Sequence, residues 1–177
     1  LVDLGDGRAL AVDACRDLRA LRLAADADGL RIEFAADTHL HADFLSGAVQ
    51  LAADDGARVV ASGNGGCEFA HLGLGDGQEI DLGGLTLQAM TTPGHTDEHV
   101  AFLLRDGVRT LGVFTGGSLI AGSAARTDLV DPGRTEELAR AQFRSLRRLA
   151  ELDDSVFAWP THGGGSFCAT GATSGGG

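Results

Sequence analysis

Short apolar strands alternate with amphipathic helices in the first third of this chain, and this alternation limits the possible folds more than any other feature of the sequence. Segments 8–14, 30–35 and 58–61 have the composition of strands, and helical patterns at 16–28 and from Asp43 to Gly56 separate them. A glycine follows each helical pattern, as at many helix ends. The alternation indicates an α/β protein.

The middle of the chain is rich in strands, and a helix follows it. Segments 85–91, 99–104 and 109–115 predict strands separated by turns, and a long helix after Pro132 leads to a last strand at 156–159. The apolar positions at helical spacing in this helix are Ala139, Phe143, Leu146 and Ala150. Helices at both ends with strands between them predict a two-sheet α/β sandwich covered by helices on both sides, although periodicity alone also permits a single open sheet.

The composition is typical of one folded domain and argues against several classes of function. The chain has 177 residues, 44% of them hydrophobic and 22% charged, and no apolar run approaches the roughly 20 residues that cross a bilayer. Its net charge of -11 argues against nucleic acid as a partner, because binding to phosphates needs clustered cations. The absence of lysine and tyrosine removes Schiff-base and tyrosine acid-base mechanisms. We therefore expect no nucleic-acid partner and no membrane partner.

The two ends of the chain predict domain boundaries, and the cysteines predict the cellular compartment. We expect one domain at 1–170, cut from a longer protein at both ends, followed by a flexible Gly/Ser tail at 171–177. Three cysteines without metal-ligand spacing predict a reduced, cytoplasmic setting without disulfides. For Cys168 the alternative is a reactive thiol near the site, but we interpret it and the other two cysteines as buried or incidental thiols, because no cation adjacent in sequence stabilises a thiolate.

Histidines follow predicted strands at three places. His39 and His41 are two residues apart after the strand at 30–35, so their imidazoles reach the same side, and Asp43 follows on that side. His95 lies on a turn, and His162 follows the last strand. Four histidines and a carboxylate at strand ends predict a metal site, which would suit zinc, iron or manganese equally. The two remaining histidines, His71 and His99, lack this setting and are interpreted as structural or surface residues.

Five segments together resemble a known family. They occur in the order and approximate spacing of the metallo-β-lactamase superfamily: Thr38–Asp43, Thr92–Thr96, Thr115–Gly117, Arg126–Asp128 and Pro160–His162. The resemblance covers nearly the whole chain and is strongest to the branch of glyoxalase II thioesterases and persulfide dioxygenases, particularly bacterial members joined to rhodanese-type sulfurtransferase domains. It implies an αβ/βα four-layer sandwich with a metal site at one edge, between the two sheets.

The resemblance also implies a set of ligands. In dinuclear members, the positions of His39, His41 and His95 hold the first metal, and those of Asp43 and His162 hold the second together with a histidine directly after the aspartate. An aspartate after the Thr-Gly pair bridges the two metals. In mononuclear iron dioxygenases, the ligands are the first histidine of the pair, the Pro-Gly-His histidine and that same aspartate.

This sequence departs from the family pattern at two ligand positions. Phe44 stands where the family has the histidine after the aspartate, and Gly117 stands where it has the bridging aspartate. Both departures disfavour a dinuclear centre, and the second also removes one ligand of the iron triad. We therefore predict one divalent ion, zinc or iron, on His39, His41 and His95, with an open position for water.

Two functions remain open at this point. In the first, the chain is a metal-dependent hydrolase or persulfide dioxygenase acting on a small thiol, thioester or glutathione persulfide. Metal-bound water attacks the carbonyl, Asp43 orients or deprotonates that water, and His162 donates a proton to the leaving group. Arg126 either anchors a substrate carboxylate or pairs with Asp128. In the second, the chain has lost its metal and serves as a binding or scaffold module beside sulfurtransferase domains.

Overall fold

Two five-stranded sheets form the centre of the computed structural model, which describes residues 1–163 and 166–169. In the first sheet the strands lie side by side in chain order, the first pair antiparallel and the others parallel. Its strands are β1 (Val2–Asp3), β2 (Arg8–Val12), β3 (Arg31–Ala36), β4 (Arg58–Ser62) and β5 (Leu72–Leu74).

The second sheet is antiparallel except at one edge. Its strands are β6 (Glu79–Asp81), β7 (Thr86–Thr91), β8 (Val100–Asp106), β9 (Arg109–Gly116) and β10 (Phe157–Pro160). Strands β6 to β9 form a meander, and β10 returns to pair parallel with β9. The parallel pairing requires a crossover, and helix α3 (Thr135–Leu149) supplies it.

Three buried clusters give the order of the layers. The largest lies between the sheets and takes residues from both, for example Phe34 and Val60 from the first sheet and Leu87 and Phe102 from the second. A second cluster lies between the first sheet and the helices α1 (Arg19–Ala27) and α2 (Ala48–Asp55). A third lies between the second sheet and α3. The layers are therefore helix, sheet, sheet, helix, which confirms the sandwich and excludes a single open sheet.

Strand alternation places each side chain in its layer. On β8, Val100 and Phe102 point into the space between the sheets, whereas Ala101 and Leu103 pack in the cluster beneath α3. All four side chains are buried. Because both faces of the strand are covered, its sequence is an unbroken apolar run rather than an alternation of apolar and polar residues.

The buried face of α3 differs from the apolar face that the spacing predicts. Its buried residues are Leu138, Gln142, Ser145 and Leu149. Phe143 is 62% exposed, so the prediction that it packs inward is wrong. The reason is that part of α3 lies over loop backbone rather than over apolar side chains: Gln142 and Ser145 bond to main-chain groups of those loops.

The sheet topology brings several strand ends to one edge of the sandwich. Strands β2, β3 and β4 run parallel, so the segments that follow them begin at the same edge. Val100 at the start of β8 donates its N–H to the carbonyl of Thr38 at 2.8 Å, which joins this edge of the first sheet to the second sheet. The predicted metal-binding segments lie at this junction.

The remaining expectations concern the ends of the chain and membranes. The predicted tail at 171–177 lies outside the described residues, so the division at residue 170 stays a prediction. Within residues 1–163 and 166–169, no helix is long and apolar enough to cross a membrane.

Candidate metal centre

Four imidazole rings gather at the junction of the two sheets. The ring centroid of His39 lies 4.1 Å from that of His41, 5.1 Å from that of His95 and 6.0 Å from that of His162. The side chains of His39, His95 and His162 are buried, and only 1% of the His41 side chain is exposed. His39 therefore sits at the centre of the group that the sequence predicts.

Asp13 orients the His39 and His41 rings. This aspartate follows β2, and its φ of 50° ends the strand. Its Oδ1 accepts the N–H of Thr38 at 2.7 Å and the Nε2–H of His41 at 3.2 Å. Its Oδ2 accepts the hydroxyl of Thr38 at 2.8 Å and the hydroxyl of Thr161. One buried carboxylate thus holds three segments of the site together.

These hydrogen bonds assign the protons on the imidazole rings. Because Nε2 of His41 donates to Asp13, its Nδ1 keeps a free lone pair. The Thr38 hydroxyl gives its only proton to Asp13, so at 2.8 Å from His39 it accepts from Nδ1–H, which leaves Nε2 of His39 free. His95 donates from Nδ1 to the carbonyl of Arg126 at 2.7 Å, which leaves its Nε2 free.

One ring nitrogen of each of these histidines has no hydrogen-bond partner among the described residues. These buried, unpaired atoms are Nε2 of His39, Nδ1 of His41, Nε2 of His95 and Nε2 of His162. Buried polar atoms are nearly always paired, and each unpaired one has an energetic cost. Four unpaired imidazole nitrogens around one ring cluster fit a divalent metal ion, for which neutral imidazole is a common ligand.

Burial keeps the central histidines in the neutral form that a metal needs. Burial and the neighbouring histidines lower the pKa of His39 far below its ordinary value. Burial also lowers the pKa of His95, although its hydrogen bond to the carbonyl of Arg126 acts in the opposite direction. Both rings are therefore ready to bind a cation without first losing a proton.

The distances divide the predicted ligands into two overlapping groups. One ligand atom from each of His39, His41 and His162 lies within 4.8 Å of the others, and the same holds for Asp43, His162 and Cys168. Oδ2 of Asp43 lies 3.5 Å from Nδ1 of His162. His95 adjoins His39 but belongs to neither group, so its place in the first ligand set stays a prediction.

A third group of possible ligands lies on the other side of His41. It consists of Asp13, Asp37 and His41. Burial raises the pKa of Asp37 to about 6, although a hydrogen bond from Ser46 acts in the opposite direction. Burial alone would raise the pKa of Asp13, but its hydrogen bonds, above all that from His41, hold it below its ordinary value. Asp13 is therefore the charged carboxylate that supports the His41 ring.

Two relatives align with about three quarters of this chain. It is 37% identical to a hydroxyacylglutathione hydrolase of Acidiphilium cryptum over 142 residues, which are 77% of this chain and 53% of that protein. It is 30% identical to the mitochondrial persulfide dioxygenase ETHE1 of Mus musculus over 136 residues, which are 76% of this chain and 50% of that protein. The chain spans about half the length of these relatives. No protein-family model matches it.

Solved structures share the fold. A metallo-β-lactamase from Staphylococcus aureus is 34% identical with a TM-score of 0.84, covering 94% of this chain and 52% of that one. ETHE1 from Myxococcus xanthus is 32% identical with a TM-score of 0.78, covering 92% of this chain and 68% of that one. The chain belongs to the metallo-β-lactamase superfamily. Its relatives place it in the glyoxalase II and persulfide dioxygenase branch of that superfamily.

Phe44, at one departure from the superfamily pattern, covers the His41 ring. The two rings stack with centroids 4.0 Å apart and planes 26° apart, and the Phe44 centroid lies 6.4 Å from that of His162. A phenyl ring has no donor atom for a metal. The residue therefore supports one face of His41 but cannot replace the superfamily histidine as a ligand.

His99 has a structural role in holding the turn after β9. His71 lies outside the cluster, against Phe69. His99 is fully buried and stacks on His39 at 4.8 Å. Its Nε2 accepts the N–H of Gly117 at 3.0 Å, and its Nδ1 donates to the hydroxyl of Thr92 at 2.8 Å. Both nitrogens are satisfied, so His99 fixes the turn after β9. This agrees with the interpretation of His99 as a structural residue.

Arg126 forms an ion pair with Asp128, which is one of the two roles predicted for it. Its guanidinium makes two hydrogen bonds to Asp128, at 2.6 Å from Nε and 2.5 Å from Nη2. Its carbonyl oxygen holds His95 in place. Binding of a substrate carboxylate by Arg126 stays a prediction. The guanidinium would have to bind the substrate while it is paired with Asp128, or release Asp128 first.

Cys168 and Gln142 lie beside the centre, although the sequence predicts Cys168 only as a buried or incidental thiol and gives Gln142 no role. Cys168 is fully buried, and burial together with the nearby Asp43 raises the pKa of its thiol to about 11. Gln142 accepts the N–H of His95 through Oε1 at 2.9 Å and donates from Nε2 to the carbonyl of Ser118. No sequence pattern marks Cys168, and Gln142 is recognised only once the buried face of α3 is known.

Proposed function

We propose that this chain is the catalytic domain of a metal-dependent thioester hydrolase, with a divalent ion, zinc or iron, held by His39, His41 and His95. The observation that carries the proposal is the set of buried, unpaired nitrogens whose protonation the surrounding hydrogen bonds fix. A scaffold without metal has no use for these unpaired groups, and each of them lowers its stability.

The relatives support the class of substrate. One is named hydroxyacylglutathione hydrolase, which indicates a thioester of glutathione. We propose the same chemical class for this chain: a thioester formed from a small thiol. A cytoplasmic setting and an association with rhodanese-type domains belong to this proposal as well.

In thioester hydrolysis, different residues of the site position the metal ligands, orient the attacking water and protonate the leaving group. A bound divalent ion supplies a Lewis acid that lowers the pKa of water. Asp13 holds Thr38 and His41 in place, so the ligand nitrogens are oriented before any ion binds. Asp43 orients the attacking water or removes its proton. His162, 3.5 Å from Asp43, donates a proton to the leaving sulfur, which produces a thiol and a carboxylic acid.

Persulfide oxidation is the second candidate. Phe44 removes one donor of a dinuclear centre, and the mononuclear alternative is the form that the resemblance associates with dioxygenases. The 30% identity to persulfide dioxygenase ETHE1 also supports it. Gly117 counts against it, because a dioxygenase of this branch needs a carboxylate at that position.

Metal content and two assays separate these candidates. Protein purified without chelator should contain at least one zinc or iron per chain, and metal that stays absent after zinc or iron addition would support the scaffold function. Release of thiol from an acylglutathione without oxygen is the expected result for the hydrolase. Oxygen uptake with glutathione persulfide, and no thiol release from the thioester, would reject the hydrolase in favour of the dioxygenase.

A further inference from the structure

Glu98 connects two of the segments that carry predicted ligands. It lies outside the five segments that resemble the superfamily. Its Oε1 accepts the N–H of Leu40 at 2.8 Å and the hydroxyl of Thr96 at 2.8 Å. Leu40 lies between the first two predicted ligands, and Thr96 directly follows His95. We infer that Glu98 is a positioning residue, which sets the first two ligands relative to His95 and thereby fixes the geometry of the metal site.

The main chain places Glu98 beside the turn that carries the first two ligands. Glu98 precedes β8, whose first residue, Val100, donates its N–H to the carbonyl of Thr38 at 2.8 Å. The chain from Glu98 to Val100 therefore lies alongside the chain from Thr38 to Leu40, with one contact at each end. Because a side chain makes the contact at Glu98, a substitution can remove it while the main-chain contact at Val100 remains.

Two carboxylates from different elements hold this turn. Asp13, after β2, accepts the N–H of Thr38 and the Nε2–H of His41. Glu98, before β8, accepts the N–H of Leu40. Asp13 thus fixes the start of the turn and the imidazole ring at its end, whereas Glu98 fixes the main chain directly before that ring.

The position of this main chain matters because of the nitrogen that His41 offers to a metal. Its Nε2 donates to Asp13, so the free lone pair is on Nδ1. Nδ1 is bonded to the ring carbon that carries Cβ, so a shift of the main chain moves this nitrogen almost fully. His39 and His95 offer Nε2, at the far end of the ring, where side-chain rotation can compensate for a shift. His41 is therefore the ligand most sensitive to the contact at Leu40.

Thr96 orients the carboxylate of Glu98. Thr96 is buried, and its hydroxyl donates to the same oxygen that accepts the N–H of Leu40. An oxygen that accepts two hydrogen bonds is restrained in both directions. Gly94 donates its N–H to the carbonyl of Thr96 at 3.0 Å, which closes the turn that carries His95. The connection between the two ligand segments therefore runs through two side-chain hydrogen bonds to one oxygen.

The role assigned to Glu98 requires an oxygen acceptor rather than a negative charge. Glutamine has a carbonyl oxygen at the same distance from its Cα, so it can accept both hydrogen bonds. Leucine has a side chain without an acceptor. The substitutions Glu98→Gln and Glu98→Leu therefore separate the hydrogen bonds from the charge.

Zinc affinity and the visible spectrum of bound cobalt(II) test the inference without an activity assay. Glu98→Leu should lower zinc affinity by about 10- to 100-fold in a chelator competition. At saturating cobalt(II) its visible absorption bands should differ from those of the wild type, because these bands report the arrangement of the ligands. A substitution that only destabilised the fold would leave the spectrum of the folded, saturated protein unchanged. Glu98→Gln should restore both the zinc affinity and the spectrum.

Glu137→Leu is the matched control. The Glu137 side chain is 65% exposed and pairs with Arg134 on the surface, where an ion pair contributes little. Its zinc affinity and cobalt spectrum should equal those of the wild type. A loss as large as that of Glu98→Leu would assign the effect to general destabilisation and overturn the inference.

Thr96→Val keeps the test valid if Glu98→Leu does not fold. Valine has nearly the shape of threonine but donates no hydrogen bond, so Glu98 loses one of its two restraints. Zinc affinity should fall by about 2- to 10-fold, which corresponds to one neutral hydrogen bond. In that case, wild-type affinity in Thr96→Val would overturn the inference.

This inference rests on the proposed metal-dependent function, and the outcomes for the two differ. If the wild-type protein binds neither zinc nor cobalt, both fail. If the wild type binds metal and Glu98→Leu has the same affinity and spectrum, the positioning role is wrong but the proposed function stands. Equal losses in Glu98→Gln and Glu98→Leu would also overturn the positioning role, because the charge rather than the hydrogen bonds would then be responsible.

Discussion

The imidazole of His95 fills the space that a side chain at Gly117 would need. A Cβ added to Gly117 would lie 2.7 Å from Cδ2 and 3.3 Å from Nε2 of His95. The ring cannot easily withdraw, because Gln142 holds its backbone N–H and the carbonyl of Arg126 holds its Nδ1. His95 can therefore occupy its present position only because residue 117 has no side chain, whereas the superfamily has an aspartate there.

Gly117→Ala should destabilise the protein and weaken metal binding, because the new methyl group displaces His95. Overpacking of this kind costs about 1–3 kcal/mol, which urea denaturation of the metal-free protein measures. Gly117→Asp adds the same Cβ together with a carboxylate, so its zinc affinity should exceed that of Gly117→Ala in a chelator competition. Equal affinities in the two variants would show that a carboxylate at this position does not reach the ion.

Gly163→Ala is the control for this pair. Among residues 1–163 and 166–169, no atom lies within 4 Å of a Cβ at Gly163, so the substitution adds the same methyl group close to the site without a clash there. Stability and zinc affinity should both stay at the wild-type level. A loss as large as that of Gly117→Ala would assign the effect to the loss of glycine flexibility rather than to displacement of His95.

Gln142→Leu should lower both stability and metal affinity. The leucine leaves the N–H of His95 and the carbonyl of Ser118 buried without partners, at about 1–3 kcal/mol each. Since His95 loses one of its two anchors, zinc affinity should fall by about 10- to 100-fold. Gln50→Leu on α2, where the glutamine donates to the exposed Asp54, should change neither property. Unchanged zinc affinity in Gln142→Leu would show that this anchor does not position His95.

The sequence predicts the layers of the fold well because strand and helix periods are local properties. The predicted strand at 99–104 becomes β8 (Val100–Asp106), and the helical pattern before Gly56 becomes α2 (Ala48–Asp55). The buried face of α3 is wrong because Gln142 and Ser145 are buried by loop backbone, which no apolar spacing reveals.

Site residues are predictable where a ligand type recurs after a strand, and not elsewhere. His39, His41 and His162 meet because the segments after β3 and β10 begin at one edge of the sandwich. Asp13 is hidden inside the strand predicted at 8–14, and only its left-handed backbone shows that β2 has ended. The cysteine at 168 is positioned by main-chain contacts with Ala125 and Arg126, which are long-range contacts without a sequence signal.

His39→Ala should abolish metal binding at the three-histidine site, whereas His71→Ala should leave metal content unchanged. His39 contacts the rings of His41, His95 and His162, so its removal takes the central ligand from the group. His71 bonds to the carbonyl of Phe69 and packs on that ring, away from the cluster. Elemental analysis of both purified variants decides the matter. Equal metal retention in both would refute the assignment of His39 as a ligand.

Acid should unfold the metal-free protein well before its carboxylates are all protonated. Burial is the main cause that lowers the pKa of His39 and of His95, and it lowers the pKa of His99 to about 3. Histidines in the unfolded chain have a pKa near 6.5. The unfolded chain therefore binds these protons first, so their contribution to stability is complete above pH 6.5 and is lost as the pH falls. Asp37 acts in the opposite direction, because its folded pKa of about 6 lies above its unfolded value and gives stability back below pH 6.

With His39 and His99 against Asp37, unfolding takes up a net of about one proton between pH 6 and 4, so stability should fall by roughly 1.4 kcal/mol per pH unit, and the lowered pKa of His95 adds to this fall. Urea denaturation in chelator at pH 7.5, 6 and 5 measures this slope. Asp37→Asn removes the opposing group, so its stability should fall more steeply below pH 6 than that of the wild type. A stability that stays level from pH 7.5 to 5 in the metal-free protein would mean that these imidazoles are not held neutral by burial, and that the cluster is open enough to accept protons in place of a metal.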